Sequence, residues 1–449
     1  MNTTRPRTDT AAPPGHATAA ASSAPVSPLK VAVASLIGTA VEWYDYFIYG
    51  MAAGIVFGPL FFPEFSAAAG TVAAFATFSV GFLARPLGGV IMGHFGDRIG
   101  RKSMLITSLM LMGIATVAIG LLPTYAALGL AAPVLLVTLR LAQGIGVGGE
   151  WGGAVLMAVE HAPPHRKGFY GSFPQMGVPG GLILANLVFL GVSTSLSDDA
   201  FTSWGWRVPF LLSAVLVAVG LMIRFSIPES PDFAEMKETN STQRLPVVAV
   251  IRNNAKDVLL AAGAFIGNNA LGYIFIAYVL SYSTTVLGMS RDLILTLTLV
   301  ASAIWLVTIA WASALSDRLG RRKVLLVGSI GQAVFAAALL PLVNTANAVV
   351  ILLALAGTAV FLGVVYGPLA ALYTELFTAD VRYSGTSLAY QIGAILGGGL
   401  APTVSAALYA AWGSSIPVSI YLVGVSVLSL LCIAAIKRRT EQATEVTRV

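Results

Sequence analysis

Gly93-His94-Phe95-Gly96-Asp97-Arg98-Ile99-Gly100-Arg101-Lys102 is a glycine-rich, charged turn set between two long apolar runs. It recurs 220 positions on, at Ala314-Leu315-Ser316-Asp317-Arg318-Leu319-Gly320-Arg321-Arg322-Lys323, where D-R-x-G-R-[KR] again separates two apolar runs. A decorated loop reproduced once per half marks one structural unit encoded twice. Two further pairings share nearly that offset. Glu160, followed by Pro163, Arg166 and Gly168, is answered 215 positions on by Glu375, with Arg382 and Gly385 after it. Gln175-Met176-Gly177 is answered 216 positions on by Gln391-Ile392-Gly393, each followed by a glycine cluster.

The solvent for this unit is a bilayer. Hydrophobic residues make up 57% of the 449 and charged ones only 10%, far below the quarter or so charged in soluble domains. Spanning helices need about 20 mostly apolar residues. Twelve such runs occur, at 31–57, 71–93, 103–122, 133–159, 171–194, 206–226, 258–284, 293–314, 324–343, 347–373, 384–411 and 416–436. They are too long for barrel strands, which predicts an all-α membrane protein of twelve helices in two six-helix halves. The halves are expected at 29–227 and 258–436, with a disordered tail at 1–28, a polar linker at 228–257 and a short tail at 437–449.

Charge placement sets the orientation. Of 26 Lys and Arg, 22 fall on the side of the charged turns, which the positive-inside bias makes cytoplasmic. With an even number of spans both termini are then cytoplasmic. This also accounts for the net charge of +6 without a nucleic acid. Cys432 alone cannot make an internal disulfide, and the four histidines lack metal-ligand spacing, so no metal and no cofactor is expected. Gly144, Gly146, Gly148 and Gly149 lie inside an apolar run with no strand before them, which favours helix packing over a nucleotide loop. No activated nucleophile stands out, and an enzyme is not expected.

Four ionisable residues remain at membrane depth, where such groups are costly and mark function. At 1.5 Å per residue, Glu42 lies about 16 Å and Arg85 about 12 Å from the cytoplasmic end. Asp45 and Arg140 lie about 21 and 20 Å up. Two couples follow, Glu42 with Arg85 and Asp45 with Arg140. Such pairs can serve only to fix helix register. They can also carry protons, because an acid that loses its cation in a low-dielectric core takes up a proton more readily. Three of the four lie on the first and fourth spans, which favours transport chemistry. Proton coupling is therefore assigned to Asp45, Glu42 and Arg140, and substrate binding to Arg85, Arg140, Tyr44 and Gln175. From the second half, Asn268, Asn269, Tyr273, Tyr390 and Gln391 supply neutral hydrogen bonds. Gly93, Asp97, Arg98, Gly100, Arg101, Asp317, Arg318 and Arg321 are read as a gate. In it an aspartate meets a helix N-terminus and the arginines meet acids.

The residues EWYDYFIYG, FLARPLGG, GHFGDRIGRK, RLAQGIGVGGEWGG and IPESPDF resemble the major facilitator superfamily over nearly the whole chain. More narrowly they resemble its metabolite:proton symporter family of bacterial inner membranes. That resemblance implies that Asp45 and Glu42 match coupling acids and that Arg140 matches the charged residue of the fourth-span motif. It implies alternating access by a monomer, with the proton as coupling ion. Implied substrates are small polar metabolites, such as 2-oxoglutarate, citrate, shikimate, aromatic acids, proline and betaine. Two embedded arginines favour uptake of an organic acid, a carboxylate or shikimate-like compound. The alternatives are a proton-coupled exporter and uptake of a zwitterion such as proline or betaine. The osmosensing betaine branch has a long C-terminal coiled coil, whereas about a dozen residues follow the last run here, which argues against osmotic regulation.

Overall fold

A computed structural model describes residues 28–99, 101–148, 151, 154–155, 158–159, 162–226, 252, 254–377 and 382–436. Side chains are described for all of these except 28, 30–31, 90, 92–99, 101–102, 104–105, 164, 223–226 and 382–383. The expected N-terminal tail, nearly all of the linker and the C-terminal tail lie outside the described residues, as do Gly149, Glu150, Glu160 and Gly100.

Among the described residues every apolar run is mainly helical, and no strand occurs. The first half holds α1 (Pro28–Ala52), α2 (Ala67–Ile99), α3 (Arg101–Leu121), α4 (Ala131–Val147), α5 (Lys167–Ser195) and α6 (Arg207–Ser226). The second holds α7 (Ala255–Tyr273), α8 (Arg291–Leu319), α9 (Arg321–Val343), α10 (Ala348–Leu376), α11 (Arg382–Ala394) and α12 (Ile416–Ala435). Among the described residues, eight helices are long and apolar enough to cross a bilayer, and the bent pair Asp198–Gly205 and Arg207–Met222 makes a ninth. Ile106–Leu121 and Ala131–Val147 are apolar but shorter, and Glu42 and Asp45 lower the hydropathy of α1.

The packing repeats the sequence doubling. In the first half α1 packs on α5, α2 on α4, α3 on α6 and α3 on α4. The second half repeats each contact with the partners six helices on: α7 on α11, α8 on α10, α9 on α12 and α9 on α10. The halves meet where α5 lies on α8 and where α2 lies on the continuation of α11, Ala401–Trp412. Even backbone irregularities recur. A π-helical turn, Ala53–Phe57, continues α1, and another, Ile274–Tyr278, continues α7. Gly320 sits between α8 and α9 at φ +91°, a left-handed conformation that disfavours side chains, and it makes the sharp charged turn possible.

α7 is enclosed on nearly all sides: of its apolar window with its continuation 89% is buried, against 28–50% for the other seven long apolar spans. The matching stretch of α1 and its continuation, 41–58, is likewise buried almost throughout. Polar side chains on α7 must therefore pair with the protein or face an internal cavity.

Candidate functional site

The site lies between the halves and is built first on α2. Arg85 is fully buried and sits over Phe82 at 4.4 Å, Tyr46 at 4.5 Å and Trp43 at 5.3 Å. Pro86 follows it and has no N–H for the carbonyl of Phe82, so local hydrogen bonding there is weakened. Packing against α4 holds the segment instead. A Cβ on Gly88 would collide with the Ile145 carbonyl, one on Gly144 with the Gly81 carbonyl and one on Gly148 with the Arg85 carbonyl. Gly144, Gly146 and Gly148 of the fourth run are thus packing residues, as their setting predicted.

Arg85 lines a cavity with Glu42, Trp43, Tyr46, Trp151, Tyr390 and Gln391. Glu42 and Arg85, expected as a couple, both line this cavity. Arg140 lies one layer away. Its guanidinium is over Tyr46 at 4.0 Å, Tyr49 at 4.1 Å and Phe78 at 4.8 Å, so the two cations share the Tyr46 ring. Such cation–π contacts partly offset the cost of a desolvated charge. Gly81 makes the room, because a Cβ there would stand 2.6 Å from Arg140 Nε.

The expected couple of Asp45 with Arg140 is not formed. Asp45 is buried toward α3 and α6, where it accepts a 2.5 Å hydrogen bond from Ser213 and faces Thr116. Arg140 donates to Gln143 Oε1 at 3.0 Å. Equal depth along two helices does not set the azimuth of either side chain, and here the azimuths diverge. Tyr44 is displaced for the same reason: its hydroxyl donates to the Pro209 carbonyl at 2.8 Å, which joins α1 to α6. Trp43 and Tyr46 face the cavity in its place.

The second half contributes a neutral wall. Asn268, Asn269, Tyr273, Trp305, Tyr366 and Tyr390 line an adjoining cavity that shares Trp43 and Tyr390 with the first. Asn268 is tied by its amide to Gln332 at 3.0 Å and to the Leu362 carbonyl at 3.2 Å, so its NH2 is already committed. Tyr273 faces Arg85. Among the described residues the buried donors Arg85 Nε and Nη2, Tyr273 OH and Trp305 Nε1 have no hydrogen-bond partner, nor has the acceptor Gln391 Oε1.

Gln175 and Gln391 turn out to be cross-braces. Gln175 Nε2 donates across the interface to the Tyr366 carbonyl at 3.1 Å, and Gln391 Nε2 donates back to the Gly148 carbonyl at 2.9 Å. The donors are 216 apart and the acceptors 218, so one contact is the other's image in the doubled fold. Gln175 also accepts from Trp151 Nε1 at 2.9 Å, so both ends of its amide are engaged within the protein, and it does not line either cavity. Trp151 stacks on Tyr390 with centroids 3.8 Å apart. Trp151, Tyr46 and Trp305 had no assigned role in the sequence reading. Trp151 follows the fourth-span glycine run, and that adjacency was the available signal.

The charged turn, expected as a gate, is described in its second copy. Asp317 accepts from the backbone N–H groups of Gly168 at 2.9 Å and Phe169 at 3.0 Å, at the N-terminus of α5. There its charge also meets the positive end of the helix dipole. Arg321 pairs with Asp317 at 2.7 Å and with Glu375 at 3.2 Å. A Cβ at Gly168 would stand 2.9 Å from Asp317 Oδ1, so the glycine admits the carboxylate. Arg318 departs from the expectation: it is exposed on the outer side of α8. In the first copy the side chains of Asp97, Arg98 and Arg101, together with Gly93 and Gly100, lie outside the described residues. At the opposite end of α8, Arg291 also crosses between the halves, to Asp198 and Ser193, both at 2.8 Å, and lies over Phe201 at 3.9 Å.

Comparison with known proteins agrees with this architecture. Residues 36–402 match the Major Facilitator Superfamily. The chain is 42% identical to the inner membrane metabolite transport protein YhjE of Escherichia coli (strain K12), over 90% of this chain and 93% of that one. It is 40% identical to the shikimate transporter of the same organism, again over 90% and 93%. A crystal structure of a D-xylose-proton symporter superposes with a TM-score of 0.72 at 21% identity, covering 91% of this chain and 97% of the other. The protein is thus a multi-pass membrane transporter of metabolites and not an enzyme. It belongs to the major facilitator superfamily and, within it, to the metabolite:proton symporter family.

Proposed function

We propose that this protein takes up a small organic acid together with protons, as a monomer in a bacterial inner membrane with both termini cytoplasmic. The observation that carries the reading is the imbalance of unpartnered groups around the central cavities: Arg85 Nε and Nη2 and Trp305 Nε1 can only donate, the hydroxyls of Tyr46 and Tyr273 can donate or accept, and Gln391 Oε1 alone among them can only accept. A buried donor without a partner costs about 1–3 kcal/mol. An anion rich in acceptor oxygens removes that cost at each of them, so the site selects a carboxylate bearing further hydroxyl or carbonyl groups. The carboxylate goes to Arg85, and the body of the molecule lies against Trp43 and Tyr390 toward Trp305.

Asp45 is the proton carrier in this reading. It is buried, held on one oxygen by Ser213, and lies outside the substrate cavity. Coupling requires that proton and substrate favour the same state, since a ligand with equal affinity for both states shifts neither. A second reading, uptake of a methylated ammonium zwitterion, is favoured by the rings of Trp43, Phe265, Tyr366 and Tyr390, which can hold such a cation through their faces.

The test is uptake into proteoliposomes, interior alkaline, of labelled shikimate, 2-oxoglutarate, citrate, proline and betaine, with and without a protonophore. An acid should accumulate and the protonophore should abolish it. Accumulation of betaine or proline alone transfers the assignment to the zwitterion. Loss of solute from preloaded vesicles, without uptake, makes the protein an exporter. Asp45→Asn is expected to lose gradient-driven accumulation and keep counterflow; full accumulation by that variant removes Asp45 from the proton path.

A further inference from the structure

We propose that Gln143 and Thr116 are positioning residues for proton coupling. They form a polar chain, Arg140 to Gln143 to Thr116, whose Thr116 end faces the Asp45 carboxylate, so that the proton on Asp45 resets the guanidinium beside the substrate cavity. This rests on Asp45 as proton carrier, as proposed above.

The chain has a fixed polarity. Arg140 has only donors, so Gln143 must turn its oxygen to Nη1, 3.0 Å away. The amide nitrogen then points the other way and donates to Thr116 Oγ1 at 2.7 Å. Thr116 is thereby left with one proton to place. Two acceptors compete for it: the Met112 carbonyl, 2.9 Å away, and the Asp45 carboxylate, which Thr116 faces. Ser213 holds Asp45 Oδ1, and Oδ2 has no partner among the described residues. Glu42, one turn away on α1, is the charged group whose field reaches Asp45, while α3 and α6 face it with the hydroxyls of Thr116 and Ser213. All of Asp45, Thr116, Gln143 and Arg140 are buried, so water does not short-circuit the choice.

Two arrangements follow. With Asp45 ionised, the Thr116 hydroxyl donates to Oδ2, because an unsatisfied buried carboxylate oxygen is the costlier loss. With a proton on Oδ2, the carboxylic acid donates to Thr116 Oγ1, and the Thr116 proton returns to the Met112 carbonyl. One proton has been added to Oδ2 and no other bond changes hands. The movement of Oγ1 shifts its hydrogen bond to Gln143, and Gln143 carries Arg140. Arg140 and Arg85 both lie against the Tyr46 ring, so the displacement reaches the ring that forms a wall of the substrate cavity.

The experiment compares counterflow, which needs no net proton movement, with accumulation driven by a pH gradient. Both use the panel compound that the native protein accumulates, in proteoliposomes carrying equal amounts of protein. Thr116→Val, which keeps shape and loses the hydroxyl, and Gln143→Leu should retain counterflow within about threefold and lose accumulation tenfold or more. Thr116→Ser should restore accumulation to within about twofold of native. Native accumulation by Thr116→Val overturns the proposal. So does failure of Thr116→Ser to rescue, or equal loss of counterflow and accumulation, since either makes the role structural. Asp45→Asn separates the two levels: if it accumulates normally, the proton-carrier reading falls. If it fails to accumulate while Thr116→Val succeeds, only the relay falls.

Discussion

Arg85 and Trp305 hold the same place in the two halves, 220 positions apart, the offset that also separates Asp97 from Asp317. Both are buried, and both leave donor nitrogens without a partner at the central cavities. One is a cation in a nest of rings, and the other is a neutral indole. Arg140 shows the same contrast: 218 positions on stands Thr358, whose hydroxyl merely donates to the Ala354 carbonyl at 2.7 Å. The doubled frame therefore repeats the helices and their contacts but not the charge. On the organic-acid reading proposed above, a single carboxylate needs one cationic wall. A second, facing cation would add desolvation cost without a second anion to offset it.

The strongest way to break this contrast is to remove its charged member. Arg85→Gln should cost about 2–5 kcal/mol, the range for truncating one side of a buried charged pair, or on the order of 100-fold in uptake at low substrate. Trp305→Phe keeps the ring and removes one neutral donor, for about 1 kcal/mol, or roughly fivefold. Initial rates of uptake for both variants at matched protein levels decide it. If Trp305→Phe proves as damaging as Arg85→Gln, the anion lies against the second half and the assignment of the walls is reversed.

The difference between the halves also marks what could be read from sequence. The doubled loop, the twelve runs and the embedded charges were legible because each rests on a one-dimensional signal: repeat offset, run length and residue type. Depth could be counted as well, and it correctly set Glu42 level with Arg85. Azimuth could not. Asp45 and Arg140 stand at similar heights, yet Asp45 turns to Ser213 and Arg140 to Gln143, and a nearly all-apolar helix has no polar face from which to read that turn. The glutamines illustrate a second loss. Gln175 and Gln391 look like ligands because they are polar and embedded, but a buried amide N–H is satisfied by any carbonyl within reach, here one in the opposite half, and only Gln391 keeps an oxygen open to the cavity.

The charged turns sharpen the comparison at the level of motion. Asp317 binds two N–H groups of the other half, and Arg321 backs it; Arg318, in the same motif, is exposed. Asp317→Asn should weaken the closure of α5 on α8 by about 1.5–3 kcal/mol, the value of charge-assisted hydrogen bonds. A cysteine at Ala154 in the cavity wall, with Cys432 replaced by serine, should then react with a thiol reagent about tenfold faster. Arg318→Ala should leave the rate unchanged. Equal acceleration by both would mean that net charge at the turn, and not the contact with α5, holds the face closed.

The smallest effects belong to the reciprocal braces, and there the halves should behave alike. Gln175→Ala and Gln391→Ala each remove one cross-interface hydrogen bond, about 1 kcal/mol, and each should speed labelling at Ala154→Cys by about three- to fivefold. Both bonds break in the same separation of the halves, so the double variant should multiply the two factors, as independent contributions to one equilibrium do. Gln175 also steadies Trp151, and Gln175→Glu, which keeps the acceptor for Trp151 and loses the donor to Tyr366, isolates the brace from that second task. If the double variant labels no faster than either single one, the two contacts do not open together, and the symmetry of the fold is then not a symmetry of its motion.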